Sequence, residues 1–123
     1  MLKKESNWRL NNDFKKGKFC FLIEVNKWAI ELQKSEFCSL YLLLSRINKQ
    51  LLGIKNELME EESITLELEQ LPWYIELEGN KNEWSLRFVF ESQDQTRSFE
   101  MYWPIPIAQN LFHEIKNMWE SMD

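Results

Sequence analysis

Histidine occurs once in this 123-residue chain, cysteine twice, and glycine and proline three times each. These shortages exclude more chemistry than any motif suggests. A Ser-His or Cys-His nucleophile pair would have to use His113, which falls on the polar side of the last apolar-periodic segment. Metal binding lacks material too, with no second histidine, no close cysteine pair, and aspartate only at Asp13, Asp94 and Asp123. Cys20 and Cys38 are too few for a disulfide framework, which fits reduced thiols in a cytoplasmic protein. Gly17, Gly53 and Gly79 stand alone, so no glycine-rich loop can cradle a phosphate and no cofactor is expected. No apolar run approaches the ~18 residues that span a bilayer, and Met1-Leu2-Lys3-Lys4-Glu5 lacks the apolar stretch of a signal peptide, so no membrane partner is expected. Without a linker-like or repeated stretch, residues 1–123 read as a single domain.

What is present is apolar and aromatic. Hydrophobic residues make up 44% of the chain, with six Trp and eight Phe, enough to form a core and to exclude wholesale disorder. The formal charge of -5 runs against a general nucleic-acid binder. Its distribution is uneven: Lys15, Lys16, Lys18, Lys27 and Lys34 lie in the first third, whereas Glu57 to Glu78 holds eight glutamates and no base.

The periodicities predict an α+β chain. Trp8-Arg9-Leu10 reads as a short extended piece entering a polar turn. Lys18 to Val25, where apolar residues dominate, and Trp28 to Leu32, which alternates at period two, read as a hairpin about Asn26-Lys27, with Val25 opposite Trp28, Ile23 opposite Ile30 and Phe21 opposite Leu32. From Ser35, taken as an N-cap, Phe37, Leu40, Leu44, Ile47, Leu51, Ile54 and Leu58 recur at spacings of three and four. That pattern predicts a long central helix to Met59, about 37 Å, with Tyr41, Leu43, Leu52 and Met59 widening its stripe. Four alternating segments follow as a meander, with Leu68 opposite Ile75, Leu77 opposite Trp84, Phe88 opposite Phe99 and Trp84 opposite Trp103. Pro106 opens a C-terminal helix carrying Ala108, Leu111, Ile115, Met118, Trp119 and Met122. The expected order is ββαββββα, an antiparallel sheet of six strands.

Two constellations carry possible chemistry. Glu67, Glu69, Glu76 and Glu78 converge on one sheet face, which keeps the sheet soluble and discourages edge pairing. Lys15, Lys16 and Lys18, with Phe14, Phe19 and Phe21 nearby, have the mixture of cation and stacking platform that single-stranded nucleic acid uses, and are the candidate contact residues. Trp28, Trp73, Trp84, Trp103 and Trp119 fall on apolar faces and read as core, while Trp8 lies outside any periodic segment. No catalytic residue is assigned.

Trp8-Arg9-Leu10, Trp28-Ala29-Ile30-Glu31-Leu32, Ser85-Leu86-Arg87-Phe88 and Trp103-Pro104, in that order, resemble a cyanobacterial family of small proteins with a domain of unknown function. The resemblance implies a fold similar to the Whirly-type single-stranded-DNA-binding transcriptional regulators, in which antiparallel sheets and helices interlock in a dimer. Their lysine-glycine-lysine motif is echoed by Lys16-Gly17-Lys18 in a chain that is otherwise acidic. The leading expectation is a non-enzymatic interaction domain, a homodimer, because the Phe37 to Leu58 seam carries more apolar face than one six-stranded sheet covers. The alternative is a single-stranded nucleic-acid binder using Lys15, Lys16 and Lys18.

Overall fold

Antiparallel pairing recruits more of the chain than its apolar alternation marks. In the computed structural model, which describes residues 1–122, the elements are β1 (Leu2–Glu5), β2 (Trp8–Asn12), β3 (Phe21–Val25), β4 (Trp28–Leu32), α1 (Lys34–Ile54), β5 (Ile64–Gln70), β6 (Trp73–Gly79), β7 (Trp84–Glu91), β8 (Ser98–Trp103) and α2 (Ile107–Glu120). The order is ββββαββββα, not ββαββββα. The single six-stranded sheet is replaced by two four-stranded antiparallel sheets, β1-β2-β3-β4 and β5-β6-β7-β8. The fold is mixed α+β as expected. The missed strands have a physical reason: β1 is an exposed edge whose Lys3, Lys4 and Glu5 give no apolar period, and it forms because β2 offers it a ladder.

The β3–β4 register is as the sequence predicts, with Val25 opposite Trp28 and Phe21 opposite Leu32. So is β5–β6, with Leu68 opposite Ile75. The next two registers slip by two residues. Leu77 faces Leu86, and Gly79 faces Trp84, because the Asn80 side chain accepts from the N–H groups of Asn82 and Glu83 and closes a tighter turn. Gly79 has φ +155, and a Cβ there would collide with the Glu83 carbonyl. Phe88 faces Met101 and Leu86 faces Trp103, since Ser92 N–H pairs with the Arg97 carbonyl and lengthens the hairpin by one rung. A slip of two leaves every side chain on its expected face.

Helix α1 starts at Lys34, one residue before the expected cap. Glu36 accepts from the Gln33 N–H at 2.8 Å, in place of Ser35 capping. The helix ends at Ile54, next to Gly53, and a 3₁₀ turn (Lys55–Glu57) follows. The seam Phe37, Leu40, Leu43, Leu44, Ile47 and Leu51 is buried, but Leu52 and Met59 do not widen it and are exposed. Phe37 stacks on Phe21 of β3 at 4.1 Å, while α1 also packs on β5 and β6 and α2 packs on β2 and β7. Both helices therefore feed one continuous core shared by the two sheets. Pro106 caps α2 and is not in its first turn; Ala108, Leu111, Ile115 and Met118 are buried, with Trp119 and Met122 packed at the margin.

Two tryptophans exchange their expected roles. Val25 lies between Trp8 on β2 and Trp28 on β4. Trp8 is covered by α2 and is 6% exposed, whereas Trp28, on an edge strand, is 79% exposed. The seam of α1 is covered within the chain by the second sheet, so its apolar excess is no argument for a second copy.

Leu44 is 1% exposed in the middle of this seam. Leu44→Asp should abolish cooperative folding, since an unpaired buried carboxylate costs a large share of a stability of about 5–15 kcal/mol. A sharp thermal transition retained by circular dichroism would contradict this.

Candidate functional site

The β2–β3 connection is built by Asp13, whose carboxylate accepts from the Lys15 N–H at 3.1 Å and caps a 3₁₀ turn (Phe14–Lys16). Gly17, at φ +93, lets the chain leave that turn. Lys15, Lys16 and Lys18 thus share one exposed turn, as the sequence predicts, but they are not electrostatically equivalent. Lys16 pairs with Glu31 of β4 at 3.0 Å. Lys18 stands 5.8 Å from the Phe19 ring and lines a cleft together with Glu36 and Asp94. Lys15 makes no ion pair among the described residues. Phe14 is 57% exposed, lies edge-on to Phe21 at 5.9 Å, and carries the Lys34 ammonium 5.9 Å from its ring centre.

The cleft, about 350 Å³, sits where the start of α1 meets the β7–β8 loop and is lined by Lys18, Ser35, Ser39, Gln93 and Asp94 among others. Glu36, which lines it, belongs to an ion pair that sequence reasoning missed. Arg97 donates from Nη1 to Glu36 Oε2 at 2.8 Å and from Nη2 to Glu36 Oε1 at 3.1 Å and to the Glu31 carbonyl at 2.8 Å. Its guanidinium lies 4.6 Å from the Phe19 ring centre and 5.2 Å from that of Phe90. Arg97 is delivered by Asp94, which accepts from Ser92 Oγ at 2.7 Å, Thr96 Oγ1 at 2.7 Å and Thr96 N–H at 3.1 Å. Those hydrogen bonds, Thr96 foremost, hold the Asp94 carboxyl down at about 2.

His113 is exposed on α2 and lines a second cavity, about 520 Å³, with Glu5, Trp8, Gln109, Asn110 and Glu114. Among the described residues no serine, threonine or cysteine lines it. Cys20 is buried, Cys38 half-buried, and both are free thiols. Among the described residues no group of three His, Cys, Asp or Glu is placed to hold a metal ion, and no helix is long and apolar enough to cross a membrane.

Glu67, Glu69, Glu76 and Glu78 share the outer face of the second sheet, with Glu67 opposite Glu76. Arg87 relieves part of the repulsion, reaching Glu100 at 3.0 Å and Glu76 at 3.7 Å. Desolvation, followed by Glu67 and Glu76, pushes the Tyr74 hydroxyl up. The remaining feature is Trp28, whose exposure the sequence could have signalled only through the position of β4 at a sheet edge.

The sequence profile of a domain of unknown function, DUF1818, matches residues 3–118. A crystal structure of a protein with unknown function from the DUF155 family of Prochlorococcus sp. NATL2A superposes with a TM-score of 0.89. It shares 36% identity, over 97% of this chain and 98% of that one. No curated protein matches the chain.

Asp94→Ala should release the loop that carries Arg97 and lower the melting temperature at neutral pH. The folded carboxyl lies near 2 against an ordinary 3.8, so its contribution is complete above the ordinary value and is lost as pH falls through about 2. The gap between variant and wild type should therefore be constant above about pH 5 and narrow toward about pH 3. Thermal melts across that range check it; a gap that widens in acid would reverse the sign.

Proposed function

The chain belongs to the family of the DUF1818 domain of unknown function, and we propose that it works as a non-enzymatic interaction module that pairs with a second copy of itself. One observation carries this reading: Trp28, 79% exposed, stands on the same face of its sheet as the buried Val25 and Leu32. A large apolar side chain gains roughly 1.5–3 kcal/mol on burial, and a rigid tryptophan is the kind of anchor that interfaces bury. The Whirly-like reading belongs to the same proposal. It is supported by the two successive units of four antiparallel strands and a helix. The free thiols of Cys20 and Cys38 support a reducing, cytoplasmic setting.

Sedimentation at micromolar concentration should give a species of twice 15.0 kDa, and Trp28→Ala should shift it to the monomer with an unchanged melt. A wild-type chain that sediments at 15.0 kDa throughout refutes the reading.

A second reading, single-stranded nucleic acid, is favoured by the exposed Phe14 ring next to Lys15 in the chain and under the Lys34 ammonium, with Lys18 exposed on the same turn beside Phe19. With Lys16 engaged by Glu31, two of the three candidate lysines remain to release counterions, for a log-log salt slope of about -1.4. The dissociation constant for single-stranded DNA should be weaker than ~10 μM at physiological salt, and the residual binding should be lost when Lys15, Lys16 and Lys18 become Gln. Submicromolar binding that survives those substitutions would place the site elsewhere.

A further inference from the structure

We infer that the second copy docks on the free edge of β4, antiparallel about a two-fold axis through Ala29, so that Lys27 of each copy faces Glu31 of the other. This rests on the self-pairing reading above and specifies its surface. The two sheets have four edges, β1, β4, β5 and β8. β1 carries charge at three of its four positions, Lys3, Lys4 and Glu5. In β5, Glu67 and Glu69 would meet like charges in a copy paired antiparallel, and β8 presents Glu100 on the face that already holds Glu76 and Glu91. Those edges are guarded by charge. β4 offers Trp28, Ala29 and Ile30, with the carboxylate of Glu31, which also holds Lys16 at 3.0 Å, and the ammonium of Lys27 in the turn just before it.

A two-fold axis normal to the sheet keeps each side chain on its own face, so residue pairs must be of equal parity. An axis through Ile30 sets Lys27 against Gln33 and Glu31 against Ala29, which leaves Lys27 without a charged partner and Glu31 with only Lys16 of its own copy. It also engages Gln33, whose N–H is already committed to Glu36 at 2.8 Å. An axis through Ala29 uses Lys27 to Glu31 alone. It forms two Lys27–Glu31 pairs on one face and two Trp28–Ile30 pairs on the other, covering the indole with an apolar partner. The Glu31 carbonyl turns away from β3, since it accepts from Arg97 Nη2 at 2.8 Å, and Arg97 closes the edge beyond that point. The product is one sheet continuous through both copies, a strand addition in which backbone pairing supplies affinity and the two charged pairs supply register.

The test is a charge exchange read by sedimentation equilibrium on the full chain. Lys27→Glu and Glu31→Lys should each raise the dimer dissociation constant about tenfold or more, and the double variant should return it to within about twofold of wild type. Ala29→Cys should form an intermolecular disulfide on mild oxidation, with the wild type and its own two thiols as control. Melting curves confirm that each exposed substitution leaves the fold intact. A dimer indifferent to the reversals, a double variant that stays weak, or Ala29→Cys that does not cross-link overturns the β4 register while the self-pairing reading survives. A wild-type chain that is monomeric at all concentrations overturns both.

Discussion

Glu36 is 7% exposed, and a carboxylate taken that far out of water is tolerated only if most of its acceptor capacity is used. Here one oxygen takes the Gln33 N–H and one arm of Arg97, and the other oxygen takes the second arm. The same residue's backbone carbonyl accepts from the Trp73 indole at 2.9 Å. Three parts of the chain converge on it: the β4–α1 junction, strand β6, and the loop between β7 and β8. Removing one partner from such a pair leaves the other charge buried, typically a loss of about 3–5 kcal/mol, far more than a surface ion pair is worth. Arg97 suits the position because its planar fork matches the carboxylate while its faces lie against Phe19 and Phe90.

That knot matters because, among the described residues, the two sheets share no hydrogen-bonded strand pair. Side chains join them, through the seam of α1, the Phe21–Phe37 stack, the docking of α2 on β2 and β7, and Arg97 itself. Apolar packing is non-directional and would permit many orientations of one sheet against the other. The hydrogen bonds from Trp73 and Arg97 to Glu36 fix a single one. The Tyr41 hydroxyl does the same between the helices, donating to Glu120 at 2.7 Å, and that carboxylate pushes the phenol up from its ordinary value. Directional contacts at the margins thus orient a core that hydrophobicity alone would leave loosely specified.

The parts of this arrangement legible in the sequence are those that depend on local period. The β3–β4 register, the buried seam from Phe37 to Leu51 and the face assignments of β5 to β8 follow from spacings of two and of three to four. Even where the register slips by two, the faces survive because parity does. What sequence could not supply is whatever depends on position in the assembled sheets. β1 has no period of its own. Trp8 and Trp28 are exchanged because both lie on the core side of one cross-strand row, and α2 covers only one end of it. Glu36 and Arg97 are 61 positions apart, each ordinary in its local context, and nothing in either segment marks them as partners.

The lysine turn illustrates the same limit in electrostatics. As a run, Lys15, Lys16 and Lys18 look like a small basic patch in an acidic chain. Folding places Glu31 within 3.0 Å of Lys16 through the β3–β4 hairpin, and places Lys18 on the rim of a cleft shared with Glu36 and Asp94. Of the field that three adjacent lysines suggest, Lys15 and the more distant Lys34 retain the part beside Phe14. At ~0.15 M salt the Debye length is about 8 Å, so only carboxylates within that distance count against a bound phosphate. Glu31 lies inside it and the outer face of the second sheet contributes little. The potential at this turn is set by which strands the topology makes neighbours, and the net charge of the chain is a poor guide to it.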